Sequence, residues 1–243
     1  MVSKMKTKFI FDVDGTLTPS RGHIDKQFGV WFSQFCETHD VYLVTGSDRP
    51  KTIEQIGEYI YSKCRRVYNC GGNDVYEGDL NIRRTQWQLP EDAEQWLTDI
   101  LNASQFTLRT GLHFEHRPGM VNFSIVGRNA NMQERAEYVI WDKKQNERNE
   151  IAQEFNYKFP GIEARPGGET GLDIAPAGSD KSQILTDFNS TDIIRFYGDR
   201  TDQHGNDFPL ANALVTGDFP DSQVFQVSGW QHTWELLKQE TSK

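Results

Sequence analysis

The chain has 243 residues, enough for one large domain or two modest ones with a real core. Its 35 acidic residues outnumber 26 basic ones, for a formal net charge of −9, and that balance argues against a non-specific nucleic-acid binder or a membrane-surface protein. No window approaches the ~18 apolar residues of a membrane span, and the three cysteines, Cys36, Cys64 and Cys70, lack C-x-x-C spacing, which fits free thiols in a reducing cytosol better than a disulfide framework or a zinc knuckle.

The opening "MVSKMKTKFIFD" carries lysines, but Asp12 breaks its apolar run too early for a signal peptide. Residues 8–13 read as a buried strand. Residues 25–39 place Phe28, Trp31, Phe32 and Phe35 on one helical face. A second apolar run, 41–47, ends in a turn. Asp48 as N-cap and an early Pro50 then start a helix with Ile53, Ile56 and Ile60 at helical spacing. Residues 66–83 look like short strands joined by glycine turns. Strand and helix thus alternate, which favours a parallel sheet with crossover helices.

The middle reads differently. Residues 89–103 form an amphipathic helix, 106–127 two long strands around Pro118-Gly119, 132–155 one long charged helix, and 161–176 strand again. After 176 the alternation returns: a helix from Asp180, a strand at 192–199, a short helix at 206–214, then a strand and a final helix to 239. The expected fold is α/β: a doubly wound, Rossmann-like parallel-sheet core, residues 1–81 and 178–243, interrupted by an inserted α+β domain at 82–177.

In such a sheet, ligands sit at the carboxyl ends of the strands. Those ends carry Asp12 and Asp14, then Thr45 and Ser47, then Asp199, with Asp207 following in "GDRTDQHGND". Two carboxylates ~4 Å apart repel by about 4 kcal/mol at an effective dielectric of 20. A hard divalent cation with oxygen ligands removes that cost, and Mg²⁺ is the natural one beside a phosphate. The chemistry then narrows to phosphoryl transfer: Asp12 as a nucleophile that forms an acyl phosphate and Asp14 as its general acid and base. Gly15 permits the turn, Thr16, Thr45 and Ser47 supply hydroxyls, and Lys181, at a helix start, neutralises the phosphoryl group and ties down Asp12.

"DVDGT", then "TGS", then "DK" before an amphipathic helix, then "GDRTDQHGND" resemble the four motifs of the haloacid dehalogenase superfamily. "DVDGTLTPSR", "FEHRPGMVNFSIVGR", "QERAEY" and "GGETGLDIAPAGSDK" are similar to the eukaryotic-type phosphomannomutases, over about residues 8–237. That resemblance implies a cap domain in which Arg21, Arg117, Arg128 and Arg135, with Asp173, hold the distal phosphate and the sugar. It also implies Mg²⁺ held by Asp12, the Asp14 backbone carbonyl and Asp199, and a homodimer formed through the cap. Asp207 and Asn122 complete the metal and substrate sets.

The arginines also suit that role chemically. A sugar phosphate with one end at the metal needs cations for the other, and guanidinium forks match phosphate oxygens. Three departures stand out: Gly171 where the family has serine, "RPG" for "RNG", and Thr45 in the "TGS" element, which looks more like the sugar phosphatases of the superfamily. Three readings follow. The first is a cytoplasmic phosphomannomutase interconverting mannose 1- and 6-phosphate with a hexose 1,6-bisphosphate activator. The second is a sugar-phosphate phosphatase, and the third a non-catalytic sugar-phosphate sensor, which would lack Asp12 or Lys181. His204 reads as a loop residue, "RPGGETG" as a turn between cap strands, and the six tryptophans as packing.

Overall fold

A computed structural model describes residues 7–203 and 205–241. The expectations for the N-terminal segment and for His204 fall wholly or partly on residues 1–6 and 204, outside that range. The chain divides into two compact units: one runs through Arg84 and resumes at Asp180, and the other is Thr85–Ser179.

The first unit is built on a seven-stranded sheet. Strands β1 (Thr7–Phe11), β2 (Asp40–Val44), β3 (Arg66–Asn69), β10 (Ile193–Gly198) and β11 (Gln223–Gln226) are parallel; β4 (Asp74–Glu77) and β5 (Leu80–Arg84) close one edge antiparallel, giving the order β11-β10-β1-β2-β3-β4-β5. Alternation along β1 explains the double covering. Phe9 and Phe11 pack with Phe28, Phe32 and Phe35 of α1 (Lys26–Thr38) and with Leu237 of α8 (Trp230–Thr241). Ile10 points the other way, onto Ile184 and onto Leu210 and Leu214 of α7 (Phe208–Thr216). Asp12, Thr45 and Asp199 therefore all emerge at the same end, one residue beyond β1, β2 and β10.

Asp48 caps α2 (Arg49–Ile56) through Lys51 N–H at 3.0 Å, with Pro50 in the first turn as expected. The helix does not continue to Ile60. Gly57, at φ 82°, breaks it from α3 (Glu58–Lys63). Beyond Asp180 the chain makes 3₁₀ turns over Lys181–Asp187 instead of the α-helix expected there.

The second unit sets four antiparallel strands, β6 (Phe114–Arg117), β7 (Met120–Phe123), β8 (Ile162–Gly167) and β9 (Gly171–Pro176), in the order β6-β7-β9-β8. One face is apolar: Val121, Phe123, Ala164, Leu172 and Ile174 pack with residues of α4 (Glu91–Ala103), α5 (Met132–Gln145) and α6 (Glu147–Lys158). The expected long helix over 132–155 is thus two helices, parted at Asn146, whose left-handed φ of 58° ends α5. The expected long strands over 106–127 shrink to β6 and β7. Beyond their outer ends, Gly127 runs so close to the Thr110 carbonyl that a side chain would not fit, and isolated bonds such as Thr110 N–H to the Val126 carbonyl replace a ladder.

The other face of this sheet is polar. Register aligns Glu115 with Asn122, Asn122 with Asp173, and Asp173 with Arg165, one row across all four strands.

Candidate active site

The loop after β1 is wound around Val13, whose carbonyl accepts the N–H groups of Leu17 and Thr18 at 2.9 and 3.1 Å. This bend separates the two aspartates. Asp12 is 3% exposed and turns inward; Asp14 lies on the rim. Lys181, itself 3% exposed, donates from Nζ to Asp12 Oδ1 and to Asp207 Oδ1, each at 2.6 Å. Asp207 Oδ2 accepts the Arg200 N–H at 3.1 Å.

Asp12, Asp199 and Asp207 each offer one carboxylate oxygen, all within 4.8 Å of one another. Burial drives Asp12 well above the usual carboxylate range; Lys181 opposes this, while Asp207 and Asp199 add to it. Burial, with Asp207 beside it, pushes Asp199 up to about 6. Lys181 is also raised: burial alone would lower it, but Asp12 and Asp207 outweigh burial. Among the described residues the three acids face the buried Lys181 ammonium, with Arg200 also acting on Asp199, in a poorly solvated place. Hard oxygen donors at this spacing fit a divalent cation such as Mg²⁺, which would offset the burial and the mutual repulsion that raise Asp12 and Asp199. Gly15 belongs to the same device. Its φ is 77°, and a Cβ there would strike Asp199 Oδ2. At Gly198 a Cβ would lie 2.7 Å from Asp207 Oδ2.

The Asp14 carboxylate is not in this cluster. Oδ1 accepts the Arg21 N–H at 2.5 Å and Gln55 Nε2 at 2.8 Å, and Oδ2 accepts Ser47 Oγ at 3.4 Å. Arg21 sits at φ 57°, so a strained turn delivers its backbone to Asp14. Thr45 is buried, and its hydroxyl oxygen accepts the Ser47 N–H at 3.1 Å, which forms the turn that presents Ser47. Thr16 Oγ1 is buried and has no partner among the described residues.

The remaining expected residues lie in the second unit. Arg117 donates from Nε and Nη2 to Glu115 Oε1, both at 2.8 Å, and Arg128 Nε donates to Glu115 Oε2. One carboxylate thereby joins the two guanidiniums. Burial raises Glu115, but Arg117 and Arg128 outweigh it and hold the carboxyl below its ordinary value. Asn122 Nδ2 donates to Asp173 Oδ1 at 2.6 Å, and Asn122 Oδ1 is buried with no partner among the described residues. Glycines make room for this pair: a Cβ at Gly167 would collide with the Asp173 carboxylate, and one at Gly171 would lie 2.7 Å from Asn122 Nδ2. Arg135, 6% exposed, donates to Thr170 Oγ1 at 3.0 Å and Glu169 Oε2 at 3.3 Å, so it grips the turn between β8 and β9. Arg148 holds the same turn through the Gly168 and Gly171 carbonyls at 3.2 and 3.3 Å.

Sequence reading missed Gln55, Glu115, Arg148 and Arg165. Gln55 belongs to no motif, and a polar residue at a helix position otherwise set for burial was its one signal; Glu115 stands inside the family-like segment "FEHRPGMVNFSIVGR", two residues before the arginine singled out there. Arg165 sat inside the segment read as a glycine turn, whereas it lies on β8 opposite Asp173, with Nε 2.6 Å from Glu163 Oε1.

The chain is similar to known proteins over most of its length. The family model "Eukaryotic phosphomannomutase" matches residues 31–218. Phosphomannomutase 1 of Mus musculus is 35% identical over 213 residues, 83% of this chain and 81% of that protein. Phosphomannomutase 1 of Homo sapiens is 33% identical over 219 residues, 85% and 84% of the two chains. Phosphomannomutase of Saccharomyces cerevisiae (strain ATCC 204508 / S288c) is 30% identical, covering 85% of each. Among solved structures, a haloacid dehalogenase-like hydrolase from Bacteroides thetaiotaomicron superposes with a TM-score of 0.60 at 12% identity, over 97% of this chain and 99% of that one. An IMP-bound Plasmodium falciparum IMP-nucleotidase gives 0.59 at 18% identity, over 98% and 67%. At such identities the structural matches speak to the fold, which is that of the haloacid dehalogenase-like proteins.

Proposed function

The chain belongs to the eukaryotic phosphomannomutase family, and from that premise we propose that it is a Mg²⁺-dependent phosphomannomutase working through a phosphorylated Asp12. The observation that carries this reading is the buried Lys181 ammonium, 2.6 Å from both Asp12 and Asp207, with Asp199 completing an oxygen cluster.

Asp12, Asp199 and Asp207, with the Asp14 backbone carbonyl, would hold the cation, which neutralises charge on the phosphoryl group and the carboxylates around it. The other steps belong to the chain's own residues. Lys181 orients Asp12 and adds positive charge where phosphoryl oxygens gather. Asp12 attacks phosphorus on a hexose 1,6-bisphosphate, the bond to the sugar oxygen breaks, and Asp14 gives that oxygen a proton. In the return step Asp14 takes a proton from the hydroxyl of a hexose monophosphate, which accepts the phosphoryl group from Asp12. Ser47 and the N–H groups of the loop after β1 bind phosphoryl oxygens. Arg21, Arg117 and Arg128 bind the phosphate that is not being transferred, and Asn122 and Asp173 bind sugar hydroxyls. Arg135 supports them by fixing the β8–β9 turn.

A sugar-phosphate phosphatase would use the same first step with water as acceptor. Thr45 had pointed that way, but its place in the Ser47 turn gives it a local structural reason. The test is to supply mannose 1-phosphate with Mg²⁺, with and without glucose 1,6-bisphosphate. Bisphosphate-dependent mannose 6-phosphate supports the mutase; inorganic phosphate without isomerisation overturns it.

A further inference from the structure

We propose that Gln55 is a positioning residue for Asp14, its side-chain amide holding that carboxyl where it exchanges a proton with the sugar oxygen that gains or loses the phosphoryl group. The inference rests on the reading of Asp12 as nucleophile and Asp14 as its acid and base.

Gln55 lies in the last turn of α2, two residues before the break at Gly57, and is 1% exposed. Its Nε2 donates to Asp14 Oδ1 at 2.8 Å and to Thr18 Oγ1 at 3.3 Å. Thr18 in turn donates from Oγ1 to the Val13 carbonyl at 3.3 Å. The amide therefore clasps both ends of the loop that carries Asp14. Its backbone carbonyl accepts the Ile24 N–H at 2.8 Å, which ties the same helix to the segment just after Arg21. Arg21 supplies the other donor on Asp14 Oδ1, at 2.5 Å. One residue thus braces the carboxyl directly and braces the turn that delivers its second donor.

The chemistry of an amide suits this place. It is neutral and carries a donor and an acceptor on one plane. Gln55 Oε1 is buried and has no partner among the described residues. A buried acceptor with nothing to accept from is an unfavourable arrangement. A half-turn of the terminal torsion, which is soft and nearly two-fold, would present that oxygen to an Asp14 O–H. The same residue then bonds Asp14 before and after it gives up its proton.

The experiment compares two phosphoryl donors by single-turnover kinetics with Mg²⁺. In each, an Asp12 oxygen forms a bond to phosphorus and the bond to the leaving oxygen breaks. From glucose 1,6-bisphosphate the sugar oxygen leaves with a proton from Asp14; from 2,4-dinitrophenyl phosphate the phenolate leaves as an anion and needs none. In Gln55→Met, of similar size and without donors, phosphorylation by the bisphosphate should fall about 10- to 100-fold. Transfer from the aryl phosphate should fall at most about threefold. In steady state, kcat should carry the loss with KM little changed. Gln55→Glu, which keeps the shape but sets a second carboxylate against Asp14, should show the same selectivity and carries the test if the methionine variant does not fold. An equal loss with both donors, or no loss with either, overturns the inference. If the wild-type protein is phosphorylated by neither donor, it is the aspartyl-phosphate reading that fails.

Discussion

Lys181 Nζ lies 2.6 Å from Asp12 Oδ1, a contact made across 169 positions of chain. The whole insertion between β5 and residue 180 separates these two groups in sequence, yet the sheet returns them to one point. With Asp207 on the same ammonium, the contact sets both the charge and the geometry of the site. Removing the ammonium leaves two buried carboxylates without their counter-ion. Lys181→Met should therefore lose about 3–5 kcal/mol of stability in metal-free buffer, read by denaturant unfolding. Added Mg²⁺ should recover part of that loss. Unchanged stability would mean that the pair is solvated and contributes little.

The raised carboxyls give a pH dependence whose sign follows from linkage. In the folded metal-free protein Asp199 keeps its proton up to about 6, and Asp12 is raised as well, whereas the unfolded chain has released both near 4. Between those values the folded state binds more protons, so their contribution makes metal-free stability fall as pH rises from about 4 to 6. Saturating Mg²⁺ should flatten or reverse that slope, because a cation favours the ionised acids. Thermal unfolding across this range, with and without the metal, checks it.

The two arginines joined by Glu115 predict a different signature. Glu115→Ala leaves Arg117 and Arg128 with no shared carboxylate to fix their planes, so ligand binding should suffer more than chemistry. KM for a hexose phosphate should rise about 5- to 30-fold, equivalent to roughly 1–2 kcal/mol, with a smaller change in kcat. Glu115→Asp should recover part of the affinity. Steady-state kinetics on these two variants is sufficient.

Gly171 offers a packing test. A Cβ at this position would stand 2.7 Å from Asn122 Nδ2, the atom bonded to Asp173. Restoring the serine common in the family should push Asn122 aside and lower stability by about 1–3 kcal/mol, with weaker sugar binding. A stable Gly171→Ser variant with tighter binding would show that the Asn122–Asp173 pair repacks freely.

How much of this was readable beforehand depended on how local each signal was. Asp12, Asp14, Asp199 and Lys181 announce themselves because strand ends, a glycine turn and a helix-start lysine are written in a few adjacent residues. The doubly wound core was equally legible, since strand and helix alternate on both sides of the insertion. Gln55 acts through Asp14, 41 positions away, so nothing beside it in sequence marks the role. Glu115 bonds Arg117 two positions on and Arg128 thirteen positions on, and it is the sharing of one carboxylate by both that the sequence does not display. The merged helices failed for a simpler reason. Gly57 and Asn146 keep the apolar period intact while adopting left-handed φ values, so periodicity ran straight through the breaks. The strands over 106–127 were drawn too long because apolar alternation does not reveal a crossing as tight as Gly127 on Thr110.

The most direct test of the central claim is to trap the covalent state. The protein is mixed with glucose 1,6-bisphosphate and Mg²⁺, quenched in acid within the first turnover, and mapped by peptide mass spectrometry. An acyl phosphate on Asp12, missing from Asp12→Asn, is the expected result. Isomerisation of mannose 1-phosphate with Asp12 never modified, or with the phosphoryl group on another side chain, would contradict it.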